Sequence, residues 1–295
     1  MSKPPKIACY GEILWDVFPD QKRLGGAPLN VALRLHSFGA AVTMISAVGK
    51  DALGKEALSK IETTALDTSF IQKVTKPTGQ VTVTLDTKGS ASYDIEANAA
   101  WDEIKATEEA LKAVKEADAL VIGSLALRES INLSAIEAFI EKSSYTVFDL
   151  NLRAPHYDLE IVVGLMEAAD MIKLNDEEME LIVIAMGIEG ETLADELKQL
   201  SAMTETPTIC VTMGADGAIL YYKGGVHEQV GFPAKVIDTV GAGDSFLATL
   251  IYGLLTNETP EDALEVACAV GSLVASKAGA NCEVHPEEID ALLPE

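Results

Sequence analysis

The segment Asp238–Asp244 (DTVGAGD) combines a carboxylate with three residues that have little or no side chain. It runs directly into a predicted helix over Phe246–Leu255, in which apolar residues recur at helical spacing. Backbone N–H groups at a helix start lack intrahelical partners and carry partial positive charge, so this turn is suited to binding phosphoryl oxygens. A carboxylate at the same point can accept the proton of an attacking hydroxyl. The candidate catalytic residues are therefore Asp244, Gly241, Ala242 and Gly243.

The same motif also allows a purely structural interpretation. Glycine-rich turns are common between strands and helices, and an aspartate near a helix N-terminus is a good cap. The motif is not the dinucleotide fingerprint G-x-G-x-x-G, because Phe246 stands where its last glycine belongs. It is not a Walker A loop either, because no Gly-Lys-Ser/Thr sequence follows.

Other polar segments stand where predicted elements begin or end. Gly25-Gly26 precedes Pro28, a pattern typical of a helix start. Asp149–Arg153 (DLNLR) ends a strand, where open α/β sheets bind ligands, and strand alternation places its polar residues on one face. Asn175-Asp176-Glu177-Glu178 matches a capping box, and the glycines of Thr212–Gly217 (TMGADG) suit a tight turn.

From about residue 104 onward, short apolar strands alternate with helices. This alternation predicts a parallel sheet covered on both faces, with right-handed crossovers. The predicted strands are Ala119–Gly123, Tyr145–Leu150, Met171–Leu174, Thr208–Thr212 and the strand-like Ala234–Ile237. The predicted helices are Ile131–Lys142, Leu159–Ala169, Asp176–Ala185, Phe246–Leu255 and Pro260–Lys277.

One region departs from that alternation. Gln80–Asp86, the turn-like residues 87–90 and Ala91–Ile95 together predict a β-hairpin. Gly11–Leu24 is also strand-like and poor in helix formers. We expect a single α/β domain over residues 1–295, with a projecting β lid built from about 11–25 and 66–100.

Composition excludes several classes of partner. The 295 residues carry a net charge of −24, which repels nucleic acid. No run of about 18 apolar residues occurs, and the N-terminus lacks the regions of a signal peptide, so we expect a cytoplasmic protein and no membrane partner. The four cysteines and four histidines are scattered, which disfavours a structural zinc or iron site.

Three motifs resemble those of one family. DTVGAGDSF is similar to the C-terminal signature D-T-x-G-A-G-D-x-F of the PfkB/ribokinase family of carbohydrate kinases. Gly25–Ala32 (GGAPLNVA) resembles its G-G-x-x-x-N-x-A motif, and Val48–Gly54 (VGKDALG) its V-G-x-D-x-x-G motif. The likeness runs from Gly11 to about Ala280. It implies a ribokinase-like α/β fold, in which a central, mostly parallel sheet is flanked by helices and carries a small β-sheet lid.

The resemblance also implies an activity and the residues for it. The family transfers a phosphoryl group from ATP, with Mg²⁺, to a sugar hydroxyl. The implied sugar contacts are Asp16, Gly25, Gly26 and Asn30, with Arg153 near the reacting end of the substrate or the phosphate. The implied nucleotide contacts are Asn175, Thr212, Gly214, Gly217 and Gly243. Glu178 resembles the glutamate that places Mg²⁺ through water, and Asp238 resembles a ligand of a monovalent cation such as K⁺ in some relatives.

The substrate is open among several sugars. Gly11-Glu12, DLNLR and Ala99–Asp102 most resemble fructokinases, so we expect phosphorylation of a primary hydroxyl of fructose. Ribokinase and 2-keto-3-deoxygluconate kinase are the alternatives within the family. A different class is a catalytically idle, sugar-binding regulator, which loss of the aspartate or of the Gly-Ala-Gly run would mark. Pairing of lid edges between two copies would give a homodimer.

Overall fold

The computed structural model describes residues 3–85 and 91–294. Within these residues, nine strands form a central sheet and four form a smaller one. In spatial order the central strands are β13 (Gly225–Gln229), β12 (Ala218–Tyr222), β11 (Thr208–Thr212), β10 (Met171–Asn175), β9 (Thr146–Asp149), β8 (Ala119–Gly123), β1 (Lys6–Tyr10), β4 (Ala41–Gly49) and β5 (Ile71–Val74). Strands β11 to β5 are mutually parallel, and β12 and β13 add an antiparallel edge.

Helices cover both faces of this sheet. They are α1 (Ala27–Ser37), α2 (Ala52–Glu62), α3 (Glu108–Lys115), α4 (Ser130–Ile140), α5 (Leu159–Glu167), α6 (Asp176–Met186), α7 (Leu193–Thr204), α8 (Ala242–Leu255), α9 (Pro260–Ala275) and α10 (Pro286–Asp290). Strand alternation divides the core in two: Ala8 and Tyr10 pack on the face of α3–α7, whereas Ile7 and Cys9 pack on the face of α1, α2, α8 and α9. The predicted alternation of strands and helices is confirmed.

Two predicted boundaries were wrong near the candidate catalytic motif. Residues 234–237 form no strand, because the N–H of Ile237 bonds to Ala275 of α9 instead of to a sheet neighbour. Val236 and Ile237 are accordingly exposed. Helix α8 begins at Ala242 rather than Phe246, so the predicted anion-binding turn is already the first turn of the helix.

The small sheet supplies the lid. Its spatial order is β3 (Lys22–Gly25), β2 (Leu14–Val17), β6 (Gly79–Leu85) and β7 (Ala91–Ile95). The lid is narrower than the interval 66–100, because β5 pairs with β4 in the central sheet. The predicted turn at 87–90 lies outside the described residues. Among the residues that are described, the helices are too short or too polar to cross a bilayer.

A buried ion pair fixes the point where the lid returns to the body. Arg128 makes two 2.7 Å bonds to the carboxylate of Asp102, which is fully buried, and its guanidinium stacks 3.9 Å from the ring of Trp101. Trp101 in turn lies against Gly79, where a Cβ would come 2.3 Å from the indole nitrogen. The start of β6 is thereby held against the segment that follows β7.

Removal of this arginine should therefore cost far more stability than removal of an exposed cation. We predict that Arg128→Ala lowers the free energy of unfolding by about 3–5 kcal/mol, because Asp102 stays buried without its partner. The control Lys112→Ala breaks an exposed i,i+4 pair with Glu116 and should cost about 0.5 kcal/mol or less. Urea denaturation midpoints measure both, and equal shifts would contradict the assignment.

Candidate active site

A cavity of about 640 Å³ lies between the lid and the carboxyl ends of the central strands. Its wall combines lid residues, the start of α1, the ends of β10 and β11 and the first turn of α8. The predicted site residues that line it are Asp16, Gly26, Asn30, Arg153, Asn175, Thr212, Gly214, Gly241, Gly243 and Asp244. Four predicted residues do not line it, namely Gly25, Ala242, Gly217 and Glu178.

The first turn of α8 forms one end of the cavity. Gly241 caps the helix with φ of 78°, and a Cβ there would lie 2.3 Å from that of Ala280, so only glycine fits. The N–H of Ala242 bonds to the carbonyl of Thr239 at 3.2 Å, and Ser245 N–H bonds to Gly241. The prediction that the N–H of Ala242 is free was therefore wrong. The backbone N–H groups of residues 243 and 244, in the first turn of the helix, remain to bind an anion.

Asp244 shares this turn and is held by a neighbouring amide. Asn30 Nδ2 donates to Asp244 Oδ2 at 2.8 Å, and Asn281 Nδ2 donates to Asn30 Oδ1 at 2.9 Å. Burial, together with the negative charge of Asp149, raises the pKa of Asp244 to about 6. The Asn30 amide thus orients Asp244, and because Asn30 also lines the cavity, its predicted contact with the sugar stays a prediction.

A buried cluster of charges lies beside the same turn. Lys173 Nζ forms an ion pair with Asp149 Oδ1 at 3.1 Å. Both Glu178 oxygens accept backbone N–H groups, from Leu152 at 2.7 Å and from Asn175 at 2.9 Å. Burial raises the pKa of Glu178, although the charge of Lys173 opposes that shift. The predicted capping box at Asn175 is confirmed.

Gly25 and Gly26, at the end of lid strand β3, make room for two carboxyl groups. A Cβ on Gly25 would lie 2.6 Å from Asp16 Oδ2, so Gly25 accommodates Asp16 instead of lining the cavity. Gly26 has φ of 113° and packs against the backbone of Glu12, whose Oε1 accepts the N–H of Ala27 at 3.2 Å. Burial raises the pKa of Asp16 to about 6 and that of Glu12 to about 7.

The loop after β9 does not continue as an extended strand. Asn151 adopts a φ of 39°, so the backbone turns before Arg153 and the predicted common face of Asp149, Asn151 and Arg153 is lost. Asp149 points inward to Lys173, whereas Asn151 and Arg153 reach the cavity. Arg153 is exposed, and its Nη1 donates to the carbonyl of Leu152 at 3.0 Å.

The predicted nucleotide residues lie side by side at the ends of β10 and β11. Asn175 and Thr212 are paired in register, and Gly214 follows with φ of 55° and open space around it. Gly217 has a different part, because a Cβ there would lie 2.0 Å from the carbonyl oxygen of Gln229 in β13. Gly217 closes the turn between β11 and β12 and does not reach the cavity.

Asp238 connects the segment that precedes α8 to the lid. Its Oδ2 lies 2.6 Å from Nη1 of Arg23 in β3 and accepts the N–H of Gly279 at 3.1 Å. Its Oδ1 accepts the N–H of Val240 at 3.1 Å. Each oxygen of the carboxylate suggested as a K⁺ ligand therefore already has a donor, and one of these donors is charged.

Sequence reasoning assigned no role to two residues of the cavity wall, Lys173 and Glu12. Lys173 is the one cation in the apolar run of β10, and its side chain is only 8% exposed. A lone lysine in a strand predicted to be buried is a signal that could have been used. Glu12 entered the sequence comparison only as part of Gly11-Glu12, and only the fold shows that it supports the turn at Gly26 and Ala27.

The sequence and the structure were compared with those of known proteins. The sequence matches the pfkB family carbohydrate kinase description over residues 4–286. The fructokinase of Escherichia coli is 28% identical over 277 residues, which cover 88% of each chain.

Similar solved structures include the fructokinase of Xylella fastidiosa with bound ATP (21% identity, TM-score 0.87, 97% of both chains). Another is the Vibrio cholerae O395 fructokinase with fructose, ADP and calcium ion (24% identity, TM-score 0.84, 98% of this chain and 99% of that one). A third is the 2-dehydro-3-deoxygluconokinase of Thermotoga maritima (22% identity, TM-score 0.87, 98% and 99%). At these identities the structures establish the fold.

The fold and site together define the class of protein. A mostly parallel sheet whose cavity is covered by a β lid and ends at a helix N-terminus is the arrangement of a ribokinase-like phosphotransferase. Because the family match spans residues 4–286, the chain belongs to the pfkB family of carbohydrate kinases. It is a sugar kinase, which transfers a phosphoryl group to an alcohol.

The raised pKa of Asp244 has a consequence for stability. The folded chain holds this proton up to about pH 6, whereas the ordinary aspartate value is 3.8. Ionisation therefore opposes folding progressively as pH rises from about 4 to 6, and the full penalty persists above that range. We predict that Asp244→Asn raises Tm by roughly 2–4 °C at pH 8 and by much less near pH 4.

Thermal melts across this pH range measure the difference. The matched control is Asp290→Asn, on the exposed side of α10, which should leave Tm unchanged at either pH. A variant Asp244→Asn that melts at or below the wild-type temperature at pH 8 would show that the carboxylate carries no such penalty.

Proposed function

We propose that this sugar kinase transfers the γ-phosphoryl group of ATP to a primary hydroxyl of fructose, with Asp244 as the catalytic base. The observation that carries the proposal is the place of Asp244 in the first turn of α8, fixed by Asn30 inside the lid-covered cavity. With a pKa of about 6, the carboxylate is mostly ionised at neutral pH and able to accept a proton.

The geometry supports a direct in-line transfer. The substrate hydroxyl loses its proton to Asp244 while its oxygen attacks the γ-phosphorus. The bond between the γ-phosphorus and the β,γ-bridging oxygen breaks, and ADP leaves. The amides of Gly243 and Asp244, at the positive end of α8, stabilise charge on the phosphoryl oxygens. Base and anion site belong to one helical turn, so binding of the phosphoryl group also places it next to the hydroxyl.

Sugar recognition is assigned to the lid side of the cavity. Asp16 accepts hydrogen bonds from substrate hydroxyls, and Gly26 allows the sugar to approach the backbone closely. Val81 and Ile95 of the lid supply apolar contacts. Gly25 acts indirectly by making room for Asp16. Closure of the lid over the sugar excludes water and limits wasteful hydrolysis of ATP.

The nucleotide and its cations are assigned to the ends of β10 and β11. Asn175, Thr212 and Gly214 are assigned to the phosphates because they line the cavity. Glu178 does not line it, and backbone donors occupy both its oxygens, so its assigned role toward Mg²⁺ is indirect, through water. Bound Mg²⁺ would neutralise phosphate charge. K⁺ at Asp238 would have to share the carboxylate with Arg23. Turnover measured against MgCl₂ and KCl concentration tests both cations.

Arg153 favours 2-keto-3-deoxygluconate as the second candidate substrate. Arg153 lines the cavity, and only its Nη1 donates to the carbonyl of Leu152. A planar guanidinium is suited to binding a substrate carboxylate. Ribose is the other alternative within the family. A catalytically idle sugar-binding regulator is disfavoured, because Asp244 and the Gly-Ala-Gly turn are both in place.

Three further expectations stay predictions. These are a homodimer formed by pairing of lid edges, the lack of a nucleic-acid partner and a cytoplasmic location. The dimer is the most direct to examine, because sedimentation of the purified chain reports its mass.

The proposed function predicts a definite substrate order and a dependence on one carboxylate. ATP consumption should be highest with fructose among fructose, ribose, 2-keto-3-deoxygluconate and nucleosides. We predict that Asp244→Ala lowers kcat by about 10²–10⁴-fold, because the hydroxyl loses its base, while calorimetric binding of ATP and sugar persists.

Asp290→Ala, which removes an exposed carboxylate that does not line the cavity, is the matched control and should retain wild-type turnover. Near-normal turnover of Asp244→Ala would exclude Asp244 as the base. Faster turnover of another sugar than of fructose would reassign the substrate, and turnover of none of them would refute the sugar-kinase activity on this panel.

A further inference from the structure

Lys173 is a buried cation whose position is not explained by its local element. It lies in the middle of β10 between apolar residues, and strand alternation aims it at the face of the sheet that α8 covers. Its side chain is 8% exposed and lines the cavity. A buried ammonium loses hydration and must be compensated by charge or by hydrogen bonds.

The ammonium of Lys173 lies beside the first turn of α8. It is 3.5 Å from the position that a Cβ of Gly243 would take. A cation at a helix N-terminus is unfavourable, because the partial charge of the helix end has the same sign. An anion bound between the ammonium and the amides of Gly243 and Asp244 would interact favourably with both groups.

The carboxylates around Lys173 explain why it remains charged. Burial by itself lowers the pKa of this lysine, but the charges of Asp149, Glu178 and Asp244 together hold the pKa above its usual value. One ammonium among three carboxylates leaves a net negative site. ATP is itself an anion, so the site needs a cation that reaches the phosphoryl group directly.

A purely structural role accounts poorly for this lysine. A buried ion pair is often no more stable than a well-packed apolar pair of the same size, so stability alone does not favour Lys173 and Asp149 over two apolar residues. Lys173 pairs with Asp149 at 3.1 Å and also lines the cavity, so the same side chain borders the space where an anion would bind.

We propose that Lys173 is a further catalytic residue, whose ammonium contacts the γ-phosphoryl oxygens of ATP beside the amides of Gly243 and Asp244. The proposal rests on the proposed function of the same site. As the oxygens gain charge during transfer, a fixed ammonium in a site shielded from water stabilises them without reorganisation. Asp149 positions Lys173 and is not assigned a contact with substrate.

The decisive experiment compares nucleotides with and without a γ-phosphoryl group. In Lys173→Met, we expect the affinity for the β,γ-imido analogue of ATP to fall by about tenfold or more, because a charged hydrogen bond is lost. The affinity for ADP should stay within about twofold of the wild-type value. With the best sugar, kcat should fall by about 10²–10³-fold. Calorimetry and ATP consumption measure these quantities.

Two variants serve as controls. Lys198→Met removes an exposed lysine of α7 and should change none of these values. The double variant Lys173→Met/Asp149→Asn removes both charges of the buried pair, so it remains informative if the single variant folds poorly. Continued low kcat in the double variant supports the proposal, whereas recovery to wild-type kcat would show that Lys173 only neutralises Asp149.

Equal loss of affinity for both nucleotides, or unchanged affinity and kcat, would overturn the assignment. Nucleotide binding is measured without sugar, so this test does not depend on the substrate. If the wild-type chain phosphorylates no sugar of the panel, the proposed function fails. The loss of affinity for the β,γ-imido analogue relative to ADP in Lys173→Met still shows whether Lys173 contacts the γ-phosphoryl group.

Discussion

The site depends on one electrostatic constraint, which is the concentration of negative charge at the first turn of α8. Asp244, Asp149 and Glu178 all act on the ammonium of Lys173, and the cavity that Lys173 and Asp244 line must also accept an anion. The chain has 46 acidic residues and 22 basic ones, so the electrostatic field of the whole protein repels an anion. Local positive groups, the helix N-terminus above all, therefore have to attract the phosphate.

The fold satisfies this constraint by bringing distant segments to one edge of the sheet. Strands β9 and β10 are parallel neighbours, so Asp149 and Lys173 meet in register and point to the same face. Helix α1 brings Asn30 to Asp244 from the other side. The lid is tied to the same turn by the ion pair between Arg23 and Asp238. The lid and the start of α8 are consequently parts of one connected structure.

Much of the fold could be predicted from sequence, because short apolar strands and amphipathic helices are local patterns. The Asp238–Asp244 motif likewise identified its helix start, since small residues and a carboxylate have few other uses together. The interactions that orient Asp244 were not predictable, because Asn30 and Asn281 are 214 and 251 residues from their partners Asp244 and Asn30. The bend at Asn151 was missed for a similar reason, since an unusual φ leaves no compositional pattern.

The pKa of Asp244 reflects a compromise between base strength and ionisation. Removal from water and the charge of Asp149 raise it, whereas Asn30, Lys173 and Arg153 lower it. At an ordinary value of 3.8 the carboxylate would be a weaker base, and well above 7 it would hold its proton. A pKa of about 6 leaves roughly nine-tenths of the carboxylate ionised at pH 7. The burial that makes Asp244 a stronger base also makes its ionisation costly to folding, so the catalytic role proposed for this residue and the stability of the fold are opposed.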